Sequence, residues 1–194
     1  MSTIYTLQPG QDISLSPTTT RTIVVAVDPG SITINLATSG QEVLVALWYS
    51  GTRTVEDTRT QATHSASNTT SHVYARALGQ SGSSIQTDLV THILPIAHGS
   101  VADQDVVARV VATGAKVALV PNLEIETNDI QCRHRSTVSP VRAEELYALA
   151  TRGISPEDSV ALIADAAYQE FVLHLKDTLN DAEYREVNEK LLKK

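Results

Sequence analysis

The chain has 194 residues, enough for one domain with its own core and no disulfide support. Hydrophobic residues make up 42% of it but aromatics only 4%, so the core must be built from Val, Ile, Leu and Ala. A formal charge of −7, with no Lys/Arg cluster beyond Lys193-Lys194, argues against nucleic acid or an anionic membrane as a partner, and the single cysteine, Cys132, excludes an intrachain disulfide.

The opening Met1-Ser2-Thr3-Ile4 has neither a basic nor an apolar leader segment, and no apolar run approaches the roughly 20 residues of a membrane span. The expected location is therefore the cytoplasm. From there to about Pro140 the chain reads as strands and turns. Pro9-Gly10, Pro29-Gly30, Ser39-Gly40, Ser50-Gly51, His98-Gly99 and Thr113-Gly114 mark turns. Residues 22–27 are almost continuously apolar. Residues 31–36 alternate, with Ile32, Ile34 and Leu36 on one face, and residues 42–49 are apolar on both faces. Further strands are predicted at 73–78, 85–93, 106–111 and 116–120. Many short strands, a Thr/Ser/Asn-rich polar face and a small-aliphatic core fit a parallel β-helix, although no strict short repeat separates it from a sandwich.

From Ser139 the texture becomes helical. Ser139-Pro140 reads as an N-cap with the first helical residue, and Gly153 as the left-handed stop. Ser155-Pro156-Glu157-Asp158 starts a second helix, whose Val160, Ile163, Ala164, Ala167 and Phe171 fall on one stripe. Asn180-Asp181-Ala182-Glu183 has the form of a capping box for a third, with Tyr184, Val187 and Leu191 as its apolar stripe. These stripes either cap the strands or serve a partner. The chain thus divides into a strand domain, 1–138, and a helical domain, 139–194.

Common catalytic signatures are absent: no P-loop, no G-x-G-x-x-G, no nucleophile elbow, no H-E-x-x-H and no C-x-x-C. This weighs toward a scaffold over an enzyme. If residues 130–134 form a strand, Cys132 and His134 share a face, and a thiol beside an imidazole can ligate iron or zinc. The bland alternative is a buried, inert cysteine beside a surface histidine. Glu124 and Glu126 also share a face; that suits a solvated strand, or acid/base work in a carbohydrate-active β-helix enzyme. His64 and His72 flank a Thr-rich stretch and read as surface residues within reach of a metal.

Residues Pro121-Asn122-Leu123-Glu124-Ile125, then Asp129-Ile130-Gln131-Cys132-Arg133-His134 and Thr137, followed by Glu144-Glu145-Leu146-Tyr147-Ala148-Leu149 and Arg152-Gly153-Ile154-Ser155, resemble the SufB/SufD family of the SUF iron–sulfur assembly system. The chain is closest in pattern to a short SufD-like form. Upstream, residues 68–78 resemble another family stretch, and Asp103-Gln104 falls where the family has a turn. The family's Gly-Ala after the His is Arg135-Ser136 here.

The resemblance implies a mainly β fold: a right-handed parallel β-helix followed by a small C-terminal helical unit. It implies a non-catalytic scaffold whose tail docks a SufC-type ABC ATPase. Tyr147, Arg152, Gly153, Ile154, Ile163 and Phe171 are then expected at the docking surface. Cys132 and His134 would hold a transient iron–sulfur cluster at an interface with a SufB-like subunit, or with a second copy as a dimer. A structural subunit that binds the ATPase without ligating a cluster is the alternative.

Overall fold

The computed structural model describes residues 2–191, so Lys193-Lys194 lies outside the described residues. Eleven strands come first: β1 (Ser2–Leu7), β2 (Ile13–Leu15), β3 (Arg21–Val27), β4 (Ile32–Leu36), β5 (Glu42–Tyr49), β6 (Val55–His64), β7 (Thr70–Gly79), β8 (Ser84–Ile93), β9 (Ser100–Val110), β10 (Lys116–Ile125) and β11 (Ile130–Pro140). Three helices follow: α1 (Ala143–Ala150), α2 (Pro156–Thr178) and α3 (Asp181–Leu191).

Successive strands alternate between two sheets. The odd-numbered strands form one sheet in the order β1-β3-β5-β7-β9-β11, and the even-numbered strands form the other in the order β10-β8-β6-β4-β2. Neighbours in both sheets pair in parallel, which is the architecture of a β-solenoid. One column of register partners runs Ser2, Arg21, Glu42, Thr70, Val101 and Gln131. Its members are unequally spaced along the chain because the turns lengthen, which is why no strict repeat shows in the sequence.

Inside the solenoid, stacked aliphatic side chains fill the space between the sheets, among them Val24, Ile32, Ile34, Leu36, Val45, Leu47 and Leu89. The outer face of the odd-numbered sheet is apolar too, because α2 and α3 lie on it. Ile23, Val25, Leu44, Ala46, Trp48 and Tyr74 meet Phe171, Leu175, Leu179 and Val187 there. Strands β3 and β5 are therefore buried on both faces, which explains their unbroken apolar runs. The scarce aromatics gather at this junction: the Trp48 and Tyr168 ring centroids are 5.3 Å apart and edge-on, and Trp48 and Phe171 are 5.8 Å apart.

Several expectations need correction. Strands β1, β2 and β6 were not predicted. In β6 the inward positions include Thr60 and His64, so its buried face is polar and gives no alternating apolar signal. His64 is not a surface residue but has no exposure at all. Its Nδ1 lies 2.7 Å from Thr69 Oγ1 and its Nε2 2.8 Å from Ser71 Oγ, so one ring nitrogen donates and the other accepts. Asp103-Gln104 is no turn but lies within β9. Ser139-Pro140 does not open a helix. Both pair with Arg109 and Val110 at the end of β11, where an edge strand tolerates the missing proline N–H. Helix α1 begins after Arg142, which makes no side-chain cap.

The later helix signals hold. Ser155 Oγ accepts from the Asp158 N–H with Pro156 in the first turn. Asn180 Oδ1 accepts from Ala182 and Glu183 N–H, while Glu183 Oε2 accepts from Asn180 N–H. Gly153 is left-handed at φ +79°.

Candidate functional site

Strand β11 closes the odd-numbered sheet and β10 the even-numbered one, so both carry an outer edge with no strand beyond it among the described residues. The pairing of β11 with β9 is continuous from Ile130 to Pro140. Alternation along it puts Cys132 and His134 on the face shared with Ala102 and Gln104, which are buried in the solenoid interior. Arg133 and Arg135 take the opposite face.

Cys132 is half-buried beside a small apolar cluster of Ile93, Ala97, Ala102 and Ile130. Burial pushes its thiol pKa up, partly offset by a hydrogen bond from the Ala102 backbone. His134 is exposed. The structure thus brings the two predicted residues together on one strand face at the open end of the solenoid. A cleft of about 320 Å³ beside Cys132 is lined by His72, Val101, Ala102, Asp103, Gln131 and Arg133. Among the described residues no group of three or more His, Cys, Asp or Glu side chains could hold a metal ion.

The opposite face of β11 is held by ion pairs that no local pattern announces. Arg133 donates to both oxygens of Asp103, at 3.0 and 2.6 Å, and Arg135 donates to Asp105 Oδ2 at 2.6 Å. The Arg133 hydrogen bond holds the Asp103 carboxyl below the usual range, against the opposing effect of burial. His72 Nδ1 lies 3.9 Å from Asp103. Acid and base sit at register-matched positions of neighbouring strands, Asp103 opposite Arg133 and Asp105 opposite Arg135. The signal lay in the matched i, i+2 spacing of the two pairs, but only the register reveals it.

Glu124 and Glu126 share a face as expected and flank His92, whose Nε2 is 2.6 Å from Glu126 and whose Nδ1 is 3.9 Å from Glu124.

The residues expected at a docking surface separate into two groups. Tyr147 is 72% exposed, and Arg152 and Gly153 are also exposed. Ile154 is half-buried, and Ile163 helps line a groove of about 440 Å³ beside α1 and α2, with Leu149, Leu162 and Ala167 and the charged Arg109, Glu145 and Glu170. Phe171 is different. It is wholly buried against Trp48 and Tyr74, so it anchors the tail to the sheet and offers no surface to a partner.

A two-sheet parallel β-solenoid with a helical tail and a Cys-x-His pair on its last strand defines the class of this protein. The family model "SUF system FeS cluster assembly, SufBD core domain" matches residues 29–167, well over half of the chain, and the chain belongs to that family. The chain is 25% identical over 120 residues to an iron-sulfur cluster assembly SufBD family protein of Mycobacterium leprae, covering 62% of this chain and 14% of that protein. It is 22% identical over 147 residues to a SufBD family protein of Staphylococcus haemolyticus, covering 76% of this chain and 31% of that protein. The matches span less than a third of these relatives' length. Among the described residues no helix is long and apolar enough to cross a membrane.

Proposed function

We propose that this chain is a non-catalytic scaffold subunit of a SUF-type iron–sulfur assembly complex, working in the cytoplasm. In this reading the strand domain, 1–138, builds the assembly interface and the helical domain, 139–194, docks a SufC-type ABC ATPase. The cluster is cargo, held in passing. The observation that carries the reading is the position of Cys132 and His134 together on the inward face of an edge strand, the last strand of its sheet among the described residues.

An edge strand is a template for another strand. The edges of β10 and β11, with Val120, Ile125 and Val138 exposed near them, suit pairing with a SufB-like subunit or a second copy. Such pairing would bring further ligands beside Cys132 and His134. The exposed Tyr147, Arg152 and Gly153, with the groove beside Ile163, supply the surface for the ATPase.

The test is co-expression with the cognate ATPase and anaerobic purification, with iron, acid-labile sulfide and the visible spectrum measured for wild type and Cys132→Ser. A complex that holds a cluster only with Cys132 present supports the reading. A complex without iron in either form leaves a structural ATPase-binding subunit, the second reading. Failure to capture the ATPase removes the docking role.

A further inference from the structure

An unbroken chain of side-chain contacts joins α2 to the strand that carries Cys132 and His134. It begins with His174 on α2, whose ring stacks on Tyr74 of β7 with centroids 3.5 Å apart and planes 5° apart. The guanidinium of Arg76, two residues along β7, lies 3.7 Å above the other partner of that stack, the Tyr74 ring. Arg76 Nη1 donates to the Asp105 carbonyl at 3.0 Å and to Asp105 Oδ1 at 3.3 Å. Asp105 Oδ2 then accepts from Arg135 of β11 at 2.6 Å. Asp105 therefore divides its two carboxylate oxygens between an arginine under the helical tail and an arginine on the site strand. Arg76 is 8% exposed, and its Nε is 3.7 Å from Glu170, also on α2.

The shared carboxylate matters because β11 is an edge strand, paired among the described residues with β9 alone. Arg133 and Arg135 bracket His134 on the opposite face, so their two acids, Asp103 and Asp105, fix the strand where the Cys-x-His pair sits. The Asp105 side of this clamp continues to the tail through Arg76. We propose that Asp105 is a positioning residue that couples the seat of α2 to the hold on β11. Lifting α2 frees Tyr74 and Arg76 to move, Arg76 releases or draws away Asp105, and the clamp on Arg135 loosens. The inference deepens the scaffold reading by naming how the site strand is regulated, and it rests on that reading only for its biological use. The coupling itself needs neither ATPase nor iron.

The experiment uses the full chain alone. The rate of Cys132 alkylation and the amide hydrogen exchange of β11 are measured for wild type, His174→Ala, Arg135→Gln and the double variant. Coupling energies carried by such networks correspond to about a 2- to 30-fold change in an opening equilibrium. Each single variant is expected to raise Cys132 reactivity within that range, with β3 and β5 amides unchanged. The double variant is expected to fall short of the product of the two. His174→Phe, which keeps an aromatic ring on Tyr74, restores the wild-type rate. Independent, multiplying effects, or a His174→Ala variant with unaltered Cys132 and β11, overturn the proposal. Should Arg135→Gln fold poorly, Asp105→Asn in its place must raise Cys132 reactivity and abolish any further effect of His174→Ala. A null result here leaves the cluster and docking reading to its own test, because no partner or metal enters the measurement.

Discussion

His64 Nε2 stands 2.8 Å from Ser71 Oγ, with both residues shut off from solvent between the two sheets. The imidazole is held neutral there, its pKa lowered by burial to about 4. In the unfolded chain the same ring takes up a proton near pH 6.5. The stability that His64 contributes is therefore complete above pH 6.5 and is lost as the pH falls from there toward 4. The loss is expected to reach about 3 kcal/mol. Urea unfolding of wild type and His64→Gln between pH 4 and 7.5 checks it: the wild-type midpoint falls more steeply with acid. Parallel slopes would count against the buried neutral ring.

Phe171 anchors the tail. Replacing it with Ala opens a cavity among Trp48, Tyr74 and Tyr168 and is expected to cost about 3–5 kcal/mol. Thermal unfolding measures the loss, and Trp48 fluorescence shifts to the red as the helix lifts from it. A variant as stable as wild type would show that the helix is not seated as described.

Tyr147 supplies the contrast. At 72% exposure its replacement by Ala is expected to change stability by no more than about 0.5 kcal/mol. On the docking role proposed above, its effect falls on affinity for the ATPase, measured as a larger dissociation constant by calorimetry. Unchanged affinity for both Tyr147→Ala and Leu162→Glu would remove this surface from the docking role.

Gly51 occupies a turn at φ +69°, and a Cβ there would lie 1.9 Å from the Leu78 carbonyl oxygen of the next coil. Gly51→Ala must therefore both strain the backbone and push apart two turns of the solenoid. A loss of at least about 1–3 kcal/mol is expected, read as a lower urea midpoint. The same substitution at Gly40, with nothing within 4 Å, lacks the clash and keeps only the strain of its positive φ.

The amino-acid sequence by itself determined most of the elements. The apolar runs of β3 and β5, the alternation of β4 and the caps at Ser155 and Asn180 act over a few neighbouring residues, and such local patterns persist in the fold. The Cys132/His134 pair was also legible, because a two-residue spacing has one meaning on a strand. Tertiary structure decided the rest. Strand β6 carries no apolar alternation because its inward His64 and Thr60 are polar, and their burial depends on partners from other turns. The end of β11 has the local pattern of a helix start because Ser-Pro caps helices unless a neighbouring strand claims it, as β9 does. Phe171 lies on the expected stripe, but which surface that stripe meets is set by the outer face of a sheet far earlier in the chain. The Asp105–Arg135 clamp had no local signature at all, since register between coils of unequal length brings the two together.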